Sequence, residues 1–189
     1  AGLQVFKPPI PGRLYVIGAD PAEGVPGGDD SSADVMDAYT GEQVATLRGK
    51  FEPKKMFPGL IFQLARVYND AGILPERNNH GHAVIGEWEE LIANTPNCRV
   101  AVLEDPYDSK LGWLSSTRGK VLLYNLSAQQ IKDEEVVIHD EVTQEQLADI
   151  DITTLRASDG DHDDAADSYS LAAAARTLDP MILDGTLMF

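Results

Sequence analysis

Short apolar runs alternate along this chain with segments in which apolar residues recur every three or four positions. The run 14–19, LYVIGA, ends at Asp20 and predicts a buried strand with a carboxylate at its C-terminal end. Two further runs, 33–40 and 43–50, lie on either side of a tight turn at 41–42. This pattern predicts a β-hairpin, so the first part of the sheet is expected to be antiparallel.

Beyond the hairpin, the pattern predicts helices that alternate with strands. One short helix is predicted to be capped by Thr143, and an Ala-rich helix by Asp163 or Asp164. The predicted helices span 53–70, 82–94, 121–131, 143–150 and 164–176, and the predicted strands span 73–76, 99–104 and 135–140. Because such alternation is typical of parallel strands, we expect an α/β fold. Its mixed sheet combines antiparallel hairpin strands with parallel strands and carries helices on both faces.

The length of 189 residues suits one domain with short extensions. Residues 1–13 are rich in Pro and Gly, which predicts a linker or leading extension, and residues 179–189 form an apolar tail. The domain itself is therefore expected to span 14–178. Within it, the polar, Gly-containing segment 21–32 predicts a mobile loop.

Composition changes this picture mainly through charge. Thirty-one Asp and Glu oppose fifteen Lys and Arg, which gives a net charge of −16. Nucleic-acid-binding proteins usually carry a basic surface, so the bulk charge argues against nucleic acid. Two interpretations of the surplus acid stay open: a solubilising surface, or a set of carboxylates that hold divalent cations. The single cysteine, Cys98, excludes an intramolecular disulfide and a cysteine-rich zinc site.

Two common ligand-binding loops fail on inspection. The nearest candidate for a phosphate-binding loop, Gly112 to Lys120, has six residues between its glycines instead of four, and valine where Ser or Thr binds magnesium. The Asp-rich segment 159–170 has Asp at positions 1, 3 and 5 of a calcium loop, but Asp164 replaces the turn glycine and Ser170 the final glutamate. The chain is therefore not an ATPase on its own, and it has no standard calcium loop.

Three acidic positions share a structural setting. Asp20 ends the first strand, Glu76 follows a short strand, and Asp163 and Asp164 start a helix that carries Asp167 on the same face. Because the carboxyl ends of neighbouring strands meet at one edge of an α/β sheet, we expect these carboxylates to converge. Such a cluster favours Mg²⁺ or Mn²⁺, and two such ions about 4 Å apart are usual for phosphodiester cleavage. Taken singly, each acid also fits a strand end, a helix cap or the surface.

Four segments in a fixed order carry a resemblance to a known family. They are YVIGADPAEG with DDSSADVMD, then AGILPERNNHG, GWLSSTRGKVLLYNL and GDHDDAADSYSLA. Over residues 13–176 the sequence resembles the C-terminal nuclease domain of the large terminase subunit of tailed bacteriophages, which has an RNase H-like fold. The order of the four segments, more than any one of them, makes this resemblance specific.

The resemblance implies a metal-dependent endonuclease that cuts double-stranded, concatemeric DNA by two-metal-ion hydrolysis with little sequence specificity. It implies that Asp20 and Glu76 are catalytic metal ligands, and that Asp20 bridges two Mg²⁺ or Mn²⁺ ions. Asp163 and Asp164 are both candidates for the third catalytic ligand. Asp167, one turn further on, is expected to support it.

The same resemblance assigns Lys120 and Arg118 to contacts with DNA phosphates, and His162 to a metal ligand or proton carrier. Residues 1–13 are then the remnant of a linker from an ATPase domain that this chain lacks. The implied partners are double-stranded DNA, that ATPase domain, the small terminase subunit and the portal protein, in the cytoplasm of the infected bacterial host. A membrane partner is not expected, because no apolar run approaches ~20 residues and no signal peptide is recognisable.

Two alternative functions stay open. The first is another RNase H-like nuclease, such as a junction resolvase, which lacks a motor domain by nature. The second is a catalytically silent acidic module that binds cations or a partner protein. The silent module predicts that cations change the stability of the protein without any cleavage of DNA.

Overall fold

Two β-sheets and five helices form the part of the chain that the computed structural model describes, which is residues 2–52, 56–78, 81–151, 153–155 and 162–178. The predicted tail lies outside these residues. No helix within them is long and apolar enough to cross a membrane. In chain order the elements are β1 (Gly2–Val5), β2 (Tyr15–Asp20), β3 (Ser31–Asp37), β4 (Gln43–Gly49), α1 (Met56–Val67), β5 (Gly72–Pro75), α2 (Gly81–Asn94), β6 (Glu104–Asp105), β7 (Lys110–Leu111), α3 (Thr117–Lys132), α4 (Glu141–Asp149) and α5 (Asp164–Ala175).

The main sheet has the strand order β1-β4-β3-β2-β5. Strands β1, β4, β3 and β2 are antiparallel to their neighbours, whereas β5 runs parallel to β2. The predicted hairpin is therefore confirmed as β3 and β4, and the predicted mixed sheet is confirmed as well. A second sheet consists of the short antiparallel strands β6 and β7.

Helices cover both faces of the main sheet, as predicted. Because successive side chains of a strand point to opposite faces, each strand contributes to two cores. On one face, Ile17 and Val35 pack in a core that includes Phe57 of α1 and Trp88 of α2, and all four are completely buried. On the other face, Met36 packs in a core formed with α3 and α5. Full burial of one such side chain contributes about 2 kcal/mol.

Helix α5 lies unusually close to β2, because the strand has a glycine at the point of contact. A Cβ atom on Gly18 would lie 2.1 Å from the carbonyl oxygen of Ser168 and 2.2 Å from the backbone nitrogen of Ala172. The Ala-rich run 172–175 is buried and adds little side-chain bulk. This contact holds the start of α5 beside the C-terminal end of β2.

The predicted strand over 99–104 is wrong as a regular strand. This segment bonds the free edge of β5 only at Ile73, whose N–H and C=O each make one 2.8 Å hydrogen bond with it. At the end of β5, the carbonyl of Pro75 instead accepts from the N–H of Trp113 (2.8 Å). Two different segments thus share the short edge of β5, and neither forms a long ladder.

The predicted strand over 135–140 is wrong for a similar reason. It forms a single bridge, Val137 with Glu42, because β1 pairs with the rest of that edge of β4. The predicted cap of the following helix is also wrong. Asp140 is the N-cap of α4, and its carboxylate accepts from the N–H of Thr143 (2.7 Å). A carboxylate three residues ahead of a free N–H is the usual N-cap arrangement.

The N-terminal segment contains regular structure that the Pro- and Gly-rich pattern concealed. Gly2 pairs with Arg48, and Val5 pairs with Ala45, so β1 is the edge strand of the main sheet. The side chains of β1 are mostly exposed, which removes the apolar alternation that signals a half-buried strand. The expectation of an irregular segment is therefore wrong for residues 2–5, while the assignment of 1–13 as an interdomain linker stays a prediction.

Candidate active site

Asp20 and Glu76 lie side by side because β2 and β5 are parallel neighbours. Asp20 is the last residue of β2, and Glu76 follows β5, with its N–H bonded to the carbonyl of Ala19 (2.8 Å). Burial raises the pKa of the Asp20 carboxyl well above its usual value, and the nearby charges of Glu76, Asp167 and Asp164 raise this pKa further. The edge of the sheet therefore concentrates negative charge at Asp20.

The first turn of α5 supplies the other carboxylates. Asp163 is the N-cap, and Asp164 and Asp167 follow in the first turn, where their side chains are about 10% exposed. Burial raises the pKa of Asp164 to about 6, although one of its oxygens accepts a 3.1 Å hydrogen bond from the N–H of Asp30. The structure thus brings together all five carboxylates that the sequence analysis named.

Lys120 and Tyr124 reach this cluster from α3. The Nζ atom of Lys120 lies 2.7 Å from Asp167 and 3.8 Å from Asp163, and the hydroxyl of Tyr124 donates to Asp167 (2.5 Å). Although burial works against its charge, the neighbouring Asp167 keeps the pKa of Lys120 above its usual value. Burial also raises the pKa of Asp167, against the effect of Lys120. Lys120 therefore neutralises part of the cluster. Arg118, the other predicted phosphate contact, is exposed on the first turn of α3.

His162 lies at the exposed side of the cluster. Its Nδ1 atom is 3.5 Å from an oxygen of Asp29 and 3.9 Å from an oxygen of Asp164, and its side chain is 58% exposed. Ligand atoms of these three residues lie within 4.8 Å of one another, which is close enough for one cation. Asp29 escaped the sequence analysis because it belongs to a loop whose Gly, Asp and Ser content already suits a turn.

The donor set fits a divalent cation. Carboxylate oxygens are the preferred ligands of Mg²⁺ and Mn²⁺, and a carboxylate whose pKa is raised by burial and like charges gains most from a bound cation. The side chains of Asp20, Glu76 and the first turn of α5 provide such oxygens at one edge of the sheet. Their individual roles as ligands or catalysts stay predictions.

Comparison with solved structures finds this fold in phage proteins. The large terminase nuclease from thermophilic phage G20c with bound magnesium is 20% identical, with a TM-score of 0.72 over 92% of this chain and 87% of that one. Its form with bound zinc gives 19% identity and a TM-score of 0.69, over 92% and 88% of the two chains. The Thermus phage P74-26 large terminase nuclease domain gives 20% and 0.70, over 91% and 84%.

No protein-family model matches the sequence, and no curated protein matches it significantly. The structural likeness extends over nearly the whole chain and over most of each solved domain. At about 20% identity, this likeness bears on the fold. The chain therefore has the fold of the large terminase nuclease domains, as its sequence motifs predicted.

Proposed function

We propose that this chain is the nuclease domain of a phage large terminase subunit and cleaves double-stranded DNA with the help of divalent cations. One observation carries the proposal: Asp20, Glu76 and the carboxylates of α5 meet at one edge of the sheet, where the pKa of Asp20 is raised well above its usual value. The likeness of the fold to terminase nucleases supports it, and the solved G20c domains include forms with magnesium, cobalt and zinc.

Asp20 and Glu76, together with Asp163 or Asp164, would hold Mg²⁺ or Mn²⁺. Two bound ions would activate water and neutralise charge on the scissile phosphate, the usual contribution of paired cations to phosphodiester hydrolysis. The protein contributes a rigid set of oxygen ligands, since the strand ends and the first turn of α5 are fixed by backbone hydrogen bonds. Asp167 supports this set from one turn further along the helix.

Two side chains have proposed roles beside the ligands. Lys120 lies between α3 and the carboxylates, so its ammonium group is available to a phosphate oxygen when cations bind the carboxylates. His162 is more than half exposed and 3.9 Å from Asp164, which suits a group that takes a proton at its ring nitrogen or donates one there. Arg118, exposed on the same turn as Lys120, would contact the DNA backbone.

The acidic balance of the chain limits how DNA binds. With a net charge of −16, the domain repels a polyanion unless cations are bound in the cluster. We therefore propose weak binding with little sequence specificity, in which the ATPase domain, the small terminase subunit and the portal protein position the DNA during packaging in the host cytoplasm. Tight binding of DNA in EDTA at physiological salt would contradict this proposal.

Cleavage of supercoiled plasmid by the purified domain tests the function. The arms are Mn²⁺, Mg²⁺, Ca²⁺ and EDTA, and the variants are Asp20→Asn and the matched control Asp133→Asn, whose carboxylate is exposed at the end of α3. We expect nicked and linear products with Mn²⁺ or Mg²⁺ from the wild type and the control. No product is expected in EDTA or from Asp20→Asn.

Two other outcomes would reject the proposal in favour of the alternatives. Cleavage of a four-way junction, with linear duplex left intact, would identify a resolvase. A rise in melting temperature with Ca²⁺ or Mn²⁺, without cleavage by the domain or by a chain that carries the ATPase domain, would identify a silent cation-binding module.

A further inference from the structure

The first turn of α5 is capped from outside the helix. The side chain of an N-cap residue normally accepts a hydrogen bond from the second or third N–H of the helix. Asp163 is the N-cap of α5, yet within the described residues its side chain makes no such bond. Instead, the Oε1 atom of Gln146 on α4 accepts from the N–H groups of Ala165 (2.7 Å) and Ala166 (3.2 Å). Gln146 thus occupies the position that the carboxylate of Asp163 would otherwise take.

The two N–H groups need an acceptor because they are buried. Ala165 and Ala166 are both 0% exposed, and a buried N–H without a partner is costly. If Asp163 supplied that acceptor, its carboxylate would turn towards the helix axis and away from the cluster. We propose that Gln146 is a positioning residue that caps α5 so that the carboxylate of Asp163 stays free to bind a cation. This inference rests on the proposed function.

Helix α4 is held firmly enough for this role. Asp140 at its start accepts from Arg48 of β4 (2.6 Å) and from the hydroxyl of Thr143 (2.8 Å). Gln43, also on β4, accepts from the N–H of Asp140 (2.8 Å) and donates to the hydroxyl of Thr143 (3.2 Å). These buried contacts fix α4 to the sheet, so the position of Gln146 is set by the same sheet that carries Asp20.

A second tether restrains α5 one turn later. The hydroxyl of Ser168 donates to the buried carboxylate of Asp34 on β3 (2.6 Å) and lies 2.8 Å from the hydroxyl of Ser32. The helix is therefore held at its first N–H groups by Gln146 and at its second turn by β3. Loss of the cap should affect the orientation of Asp163 and leave the rest of α5 in place.

Calorimetric titration with Mn²⁺ tests the role without relying on activity. Gln146→Met keeps a similar length and removes the acceptor oxygen, whereas Gln146→Glu keeps an acceptor. The matched control is Gln144→Met, because Gln144 lies on the same helix and donates to Ile138 (2.8 Å), away from α5. We expect about fivefold weaker Mn²⁺ binding for Gln146→Met, the equivalent of a lost helix cap of ~1 kcal/mol. The affinity should be unchanged for Gln144→Met and restored in Gln146→Glu.

A double-mutant cycle in EDTA tests the competition between the two caps. In the wild type, Asp163→Ala should leave the melting temperature nearly unchanged, because Asp163 does not cap α5. In the Gln146→Met background, Asp163 becomes the cap, so Asp163→Ala should lower the melting temperature by about 3 °C. Equal effects of Asp163→Ala in both backgrounds would overturn the inference.

The titration separates this inference from the proposed function. If the wild type does not bind Mn²⁺, the proposed function fails. If the wild type binds Mn²⁺ and Gln146→Met binds it equally well, or if Gln144→Met weakens binding to the same extent, the positioning role of Gln146 fails while the proposed function stands.

Discussion

Replacement of Asp34 by Asn should remove a charge that the fold buries completely. Asp34 lies on β3 at 0% exposure, where it accepts from Ser168 (2.6 Å) and from Gln43 (2.5 Å). Burial raises its pKa from 3.8 to about 6, against the opposing effect of Arg48. Asn has nearly the same shape and can serve both partners, because the Ser168 hydroxyl accepts as well as donates. The substitution therefore tests the electrostatic cost of this carboxylate.

The magnitude follows from the difference in pKa between the folded and unfolded states. A shift of about two pH units corresponds to ~3 kcal/mol. Because the folded-state pKa is raised, the folded state holds the proton more tightly. This contribution to stability is fully present below the unfolded-state pKa of about 4 and is lost as the pH rises through about 6. The Asn variant does not titrate, so at about pH 7.5 it should be more stable than the wild type by up to ~3 kcal/mol, and at about pH 4 equally stable.

Urea unfolding in EDTA, followed by the fluorescence of the buried Trp88 and Trp113, measures this difference at several pH values. Asp133→Asn serves as the control, because its carboxylate is exposed and the substitution should leave the pH dependence unchanged. A difference in the free energy of unfolding between wild type and Asp34→Asn that stays constant from about pH 4 to about pH 7.5 would refute the reasoning.

Two further substitutions test the packing and charge around α5. Gly18→Ala should lower the free energy of unfolding by about 3 kcal/mol, because its Cβ would overlap the α5 backbone, whereas Gly86→Ala on α2 meets no atom within 4 Å and should gain ~0.5–1 kcal/mol; thermal unfolding compares the two, and equal effects would contradict the close contact. Lys120→Met leaves Asp167 buried without its counter-charge and should cost ~3 kcal/mol in EDTA; urea unfolding that matches the wild type would show that this ion pair contributes no stability.

The sequence pattern predicted the parts of the fold that local periodicity determines. Strand β2 is a continuous apolar run, and the hairpin of β3 and β4 has its turn at residues between two such runs, so both follow from neighbouring residues. The segments 99–104 and 135–140 are also apolar, but a strand needs a free partner edge. Those edges are shared with Trp113 or occupied by β1, which no local pattern reveals.

The same division applies to the candidate site. The meeting of Asp20 and Glu76 follows from a general rule, since parallel neighbouring strands end at one edge of the sheet. The contacts of Asp29 with His162, and of Gln146 with the start of α5, depend on how distant segments pack. Gln146 had a weak signal in hindsight: α5 begins with two aspartates, and the sequence alone leaves open which acceptor caps its buried N–H groups.

Anomalous diffraction from crystals soaked in Mn²⁺ tests the central claim most directly, because it locates the cation without relying on activity. The account predicts a manganese peak bounded by the carboxylates of Asp20, Glu76 and the first turn of α5, and no peak there in crystals of Asp20→Asn. A peak confined to Asp29 and His162, or the same peak in Asp20→Asn crystals, would contradict it.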